Sequence, residues 1–178
     1  RIGLAVELGE SVVEALPASG NAWMLLGDAY GRQAMRVDAQ AKAGWTLKSR
    51  DAYEKAVALA PGNPDARFSL MQYYTQAPQY LGGGREKALL QAAGLAAIGA
   101  AWGHMGRAAL LLADGKADEA IAAYQAAVTA EPGNPRATLG LISLNFSEKH
   151  YADARAAVEA ALSRDPQDPV ALFMLGRI

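Results

Sequence analysis

The chain has 178 residues, with 17 Lys and Arg against 18 Asp and Glu. So balanced a charge supplies no general pull toward nucleic acid or an anionic lipid surface. It contains no cysteine, which excludes disulfides, thiol catalysis and cysteine-ligated zinc, and is compatible with either a reducing or an oxidising compartment. No apolar run reaches the roughly 18–20 residues that a membrane-spanning helix requires, so no membrane insertion is expected.

Residues 1–18 read as the second helix of a partial repeat, with Ile2, Ala5, Val6, Val12 and Val13 on its apolar face. A chain that starts within a repeat at Arg1 reads as a segment of a longer one. Residues 20–63 form the first full repeat: a first helix with Trp23, Leu26 and Tyr30 in the core and Gly27 at a close helix approach, then a second helix ending before Pro61. From Pro17 to Pro61 is 44 residues, ten more than the 34 that separate Pro132 from Pro166. The excess lies in a stretch without proline, and is expected as added helical turns rather than a long loop. Trp45 and Leu47 on this extension either pack on the first helix or form an exposed partner patch.

The second repeat, 64–100, opens with Pro64, suited to a first helical turn, and carries Phe68, Leu70, Met71, Tyr73 and Tyr74. It is interrupted at 77–87 by APQYLGGGREK. The glycine run before a helix invites an anion-binding reading at Gly83, Gly84 and Arg85. With no preceding strand and no Gly-Lys-Ser/Thr, a lengthened turn is the better account. The third repeat spans 101–134; its start is ambiguous by about two residues because a proline expected near 98–100 is missing. The fourth spans 135–168, and residues 169–178 begin another repeat whose apolar Leu172 and Leu175 imply truncation or a cover.

Two patterns tie these segments together. Ala120, Tyr124, Ala127 and Pro132 recur at the same spacing as Ser49, Tyr53, Ala56 and Pro61, as Ala154, Val158, Ala161 and Pro166, and faintly as Ala5, Gly9, Val12 and Pro17. Steps of four and three share one helical face. Six residues after a proline begins the second pattern, fullest as Trp23-x-x-Leu26-Gly27-x-x-Tyr30. With a period of 34 residues from Pro132 to Pro166, the chain resembles the tetratricopeptide repeat family. The resemblance implies an all-α fold: an α-solenoid of antiparallel helix pairs wound as a right-handed superhelix. Its alanine-rich style and A-P-x-x-x-G-G insertion resemble bacterial members, for which cytoplasm and periplasm both fit.

Reactive groups do not converge along this chain. His104 and His150 lie one repeat apart without partners at metal-ligand spacing, and Asp118, Glu119, Asp153 and Glu159 read as solvated helix charges. No catalytic residue, metal or cofactor is expected, and the chain reads as a non-enzyme. In the tetratricopeptide family the first helices line a concave groove. The matching positions here are Asn21, Met24 and Asp28; Asp65, Phe68 and Gln72; Trp102, Met105 and Ala109; Arg136, Leu139 and Ser143; and Val170, Phe173 and Arg177. The resemblance therefore implies a scaffold that binds a protein or peptide segment through apolar anchors. The Lys and Asn set of the family's carboxylate-clamping members is absent, with Asn21 alone. The alternative function is self-assembly, a homo-oligomer built through the repeat ends or the extended first repeat. A closed groove, with these side chains as core, is the competing expectation for the site.

Overall fold

The computed structural model describes residues 3–177; Arg1, Ile2 and Ile178 lie outside the described residues, and with them the expected place of Ile2 on the first apolar face. Among the described residues there are ten α-helices and no strand, in two compact units, Arg1–Leu95 and Ala96–Ile178. The first contains α1 (Leu4–Ala15), α2 (Gly20–Ala34), α3 (Ala39–Leu59), α4 (Pro64–Gln76) and most of α5 (Arg85–Ile98). The second contains the end of α5, then α6 (Ala100–Ala113), α7 (Ala117–Ala130), α8 (Pro135–Ser147), α9 (Tyr151–Arg164) and α10 (Pro169–Leu175). Successive helices pack on one another from α1 to α4 in the first unit and from α6 to α10 in the second, which gives the all-α, paired-helix class that the sequence implied.

The joints between pairs follow from local chemistry. The four-residue linkers 16–19, 60–63, 131–134 and 165–168 share one turn, in which the last N–H bonds to the first carbonyl at 2.9–3.0 Å. Their prolines, Pro17, Pro61, Pro132 and Pro166, stand just beyond the preceding helix, where no further helical N–H is available. The last linker residue then caps the following helix. Asn63 accepts from the N–H groups of Asp65 and Ala66, and Asn134 from those of Arg136 and Ala137. Asp168 does the same at α10, and in all three a proline follows at the first helical turn.

The ten additional residues of the first repeat are mainly helix. α2 has 15 residues and α3 has 21, against 13 and 14 in the α8–α9 pair. The lengthened part is held inward. The Trp45 ring lies 5.7 Å from Tyr30 on α2, and Trp45 joins a core of Val6, Val13, Leu26, Tyr30 and Ala52. At the same pair of helices Gly27 admits the Tyr53 ring, which a Cβ would meet at 2.6 Å.

At 77–87 the chain forms a 3-10 turn, Gln79–Leu81, with Leu81 buried and Gly82 at φ +83°. Gly83 is obligatory, because a Cβ there would run into the Ala77 carbonyl. The N–H groups of Gly82, Gly83 and Gly84 bond to the carbonyls of Gln79, Pro78 and Tyr74 at 2.9–3.2 Å. Donors consumed in this way do not make an anion cradle, so the segment is a tied turn.

The α5–α6 joint explains the ambiguous start of the third repeat. It consists of Gly99 alone, instead of four residues. On α6 the buried set is Ala101, Met105, Gly106 and Ala108, the same spacing as Ala22, Leu26, Gly27 and Ala29 on α2. Trp102, Met105 and Gly106 therefore stand where Trp23, Leu26 and Gly27 stand, two residues away from the expected alignment.

Candidate protein-binding faces

The residues expected to line a groove divide by burial. Phe68 is 2% exposed and Met105 0%, so neither offers a surface to a ligand, and both are corrected to core. For Met105 the cause is the shortened joint, which moves it to the core position of Leu26. For Phe68 it is the broad buried arc of α4, where Ala66, Phe68, Leu70, Met71 and Tyr74 are all enclosed. Met24, Asp28, Gln72, Trp102 and Arg136 are half-buried. Asp28 is occupied internally: the Tyr53 hydroxyl donates to its Oδ1 at 2.6 Å. Burial first, and then that bond to a carboxylate, raises the Tyr53 pKa.

What remains open is concentrated on α8 and α10, which pack together in the second unit. Leu139 is 40% exposed and Phe173 63%, at equivalent places one repeat apart. Ser143 and Arg177 beside them are exposed too, and the Arg177 guanidinium stands 5.8 Å from the centre of the Phe173 ring.

A second concavity was not legible as a groove in the sequence. It runs between α7 and α9 with α8 as its floor, and encloses about 520 Å³. Thr138, Leu141 and Asn145 form the floor. Ile121, Gln125 and Val128 form one wall, and Ala156, Ala157 and Ala160 the other. Asp118, His150 and Asp153 line it as well, as does Arg164 in the last turn of α9. Thr138 and Asn145 are 4% and 3% exposed. The Thr138 hydroxyl has no partner among the described residues, and Asn145 Nδ2 donates to Leu141 O at 3.0 Å, leaving its Oδ1 as an acceptor. The sequence signal was present in the repeat pattern: in this copy the places of Trp and Tyr hold Thr138 and Asn145.

The other reactive side chains sit apart. Among the described residues no group of three or more His, Asp or Glu is gathered as a metal site would need, and no helix is long and apolar enough to cross a membrane.

Residues 111–178 match the family model of the tetratricopeptide repeat. No curated protein matches the chain. Among solved structures, the chain is similar to TTC0263, a thermophilic tetratricopeptide-repeat protein of Thermus thermophilus, at 20% identity and a TM-score of 0.63, over 96% of this chain and 87% of that one. It is also similar to MamA, at 17% identity and a TM-score of 0.47, over 92% and 88%. A third is YrrB, described as a tetratricopeptide-repeat protein with an unusual peptide-binding site, at 17% identity and a TM-score of 0.42, over 94% and 80%. At 20% identity the likeness to TTC0263 shows the fold alone.

Proposed function

We propose that this chain, whose residues 111–178 belong to the tetratricopeptide repeat family and whose helices have that family's fold, is a non-catalytic scaffold that holds a protein segment on its first-helix face. The observation that carries the reading is the exposure of Leu139 and Phe173 at matched places on two packed helices. An apolar pair with a guanidinium beside it suits a peptide or helix that carries two apolar anchors and a carboxylate. The anchors supply most of the affinity, and Arg177 sets orientation. This limits the groove-binding set to Leu139, Phe173, Ser143 and Arg177, with Trp102 and Arg136 half-buried in the same unit.

The test is selection of binders from a displayed peptide library on the wild-type chain, then calorimetry with the selected peptides. Leu139→Ala/Phe173→Ala should weaken them roughly tenfold or more, with helicity unchanged. Equal affinity for the double variant would refute the assignment. A second reading, self-assembly, draws on the apolar side chains that α10 exposes, Leu172, Phe173 and Leu175. Sedimentation showing a monomer at all concentrations would remove it.

A further inference from the structure

Counting from the repeat prolines, Pro17 with Pro132 and Pro61 with Pro166, pairs the α1–α2–α3 packet with α7–α8–α9 position by position. In the first packet Trp23, Tyr30 and Trp45 pack on the core between α1 and α3. Their counterparts are Thr138, Asn145 and His150, and all three line the concavity. The remaining walls match too: Val13 pairs with Val128, Leu26 with Leu141 and Ala52 with Ala157. The groove is thus the space that aromatic rings fill elsewhere in the same chain.

The polar partners of those rings have changed with them. The Tyr30 hydroxyl donates to Glu10 at 2.8 Å, and the equivalent Tyr74 hydroxyl donates to Glu54 at 2.7 Å. At the third copy of this pair, tyrosine has become Asn145 and glutamate has become Gln125. A neutral amide can accept from an incoming phenol or indole without holding an unpaired charge in the groove. The cation has been replaced as well. Lys48 lies 4.7 Å from the centre of Trp45 and 5.3 Å from that of Tyr30, whereas Asp153 occupies its place in the second packet. Asp118 stands on the same groove, and neither carboxylate forms an ion pair among the described residues.

We infer that the α7–α8–α9 groove is a second binding site, built for a Trp or Tyr side chain that a partner protein segment presents next to a Lys or Arg. The ring occupies the vacated slot over Leu141. Its N–H or O–H donates to Gln125 or Asn145, and the flanking cation meets Asp118 and Asp153, replacing the contact that Lys48 makes internally in the first packet. At about 520 Å³ the space falls within the size range of ligand sites, roughly 300–1,000 Å³. The site lies apart from Leu139 and Phe173, and it stands without the first-helix reading.

The test is a titration of the isotopically labelled 178-residue chain, followed by amide NMR, with acetyl-Lys-Trp-Lys-amide. Shifts should localise to Thr138, Leu141, Asn145 and Ala157. Acetyl-Glu-Trp-Glu-amide and acetyl-Lys-Ala-Lys-amide should bind roughly tenfold or more weakly. Thr138→Trp/Asn145→Tyr, which supplies the rings internally, should raise Tm and abolish binding. Asp153→Lys, a change at an exposed position, should reverse the preference between the Lys and Glu peptides and gives the same test where the double variant does not fold; an unchanged preference would overturn the assignment. Leu139→Ala/Phe173→Ala should leave this binding unchanged. Persistent binding by a folded Thr138→Trp/Asn145→Tyr chain would overturn the assignment, as would the absence of localised shifts or equal binding of the alanine peptide. Equal affinity for tryptophanamide would make this a small-molecule site and overturn the partner-segment assignment.

Discussion

The α1–α2–α3 packet and the α7–α8–α9 packet share the same proline linkers and helix alternation, yet one is filled and the other is open. Three aromatic positions, one of them on the extended α3, mark the difference. Trp23, Tyr30 and Trp45 complete the first packet, with the Trp23 indole N–H bonded to Pro17 O at 2.9 Å and Lys48 covering the rings. Thr138, Asn145 and His150 leave the second with a polar-edged groove. The turn chemistry specifies the repeat, while the aromatic positions between second helices decide whether the packet is self-sufficient. Closer to each pair's own core, volume is exchanged rather than lost. Gly27 against Tyr53 in the first packet corresponds to Ile142 against Val158 in the second.

The largest effect should come from emptying the filled packet. Tyr30→Ala removes a nearly buried ring and should cost about 3–5 kcal/mol in thermal or urea unfolding. Asn145→Ala at the matched place should cost about 1 kcal/mol or less, since it loses a single amide bond to Leu141 O. Similar losses for the two would break the comparison.

Next come the glycines that admit rings. Gly27→Ala drives a Cβ into Tyr53, and Gly140→Ala drives one into Tyr124. Each should cost about 1–3 kcal/mol by overpacking. Calorimetric unfolding would show whether the open packet can relax and so suffers less at Gly140.

The caps provide the control in which no difference is expected. Asn63→Ala and Asn134→Ala should each lose about 1 kcal/mol, because each side chain accepts from two N–H groups in the same way. Helicity and Tm would check it, and unequal losses would locate the contrast in the joints instead of the rings.

The smallest effect is pH-dependent. Burial, and then the bond to Glu10, holds the Tyr30 pKa above its usual value near 10. Its raised folded value means that its contribution is intact below about pH 10, starts to fall above it, where the unfolded chain alone releases the proton, and is lost as pH rises through the folded value. Tyr30→Phe should cost about 0.5–1.5 kcal/mol at neutral pH and flatten the alkaline fall in stability. Chemical denaturation between pH 8 and pH 11 would measure both.

Much of the fold was legible because proline and the small-aromatic-small helix face act locally. The spacing of Pro61, Pro132 and Pro166 with Tyr53, Tyr124 and Val158 places helices and joints directly. The extension of α3 was legible for the same reason, since no proline falls between residues 35 and 49. Asn63, Asn134 and Asp168 could have been read as caps from their place before proline. The register of α6 was less accessible, because it depends on a one-residue joint at Gly99 that deletes the proline marker; only the burial of Ala101, Met105 and Ala108 fixes it. Of the candidate site, the exposure of some expected positions was legible. Leu139 and Phe173 are exposed as a groove requires, whereas Phe68 and Met105 are enclosed by packing that no single-helix periodicity reveals. The α7–α9 groove arises from absent side chains, and its signal is a comparison between repeats rather than a motif.

The most direct measurement is native-state hydrogen exchange on the wild-type chain and on Thr138→Trp/Asn145→Tyr. If the second packet is an open copy of the first, supplying the rings should slow exchange of the α9 amides of Ala157 and Ala161 by about tenfold, corresponding to roughly 1.4 kcal/mol of added local stability, while Ala52 and Ala56 on α3 stay unchanged. Unchanged or faster exchange across α9 in a folded variant would contradict the account, because it would mean that the α7–α8–α9 packet is already complete without aromatic rings.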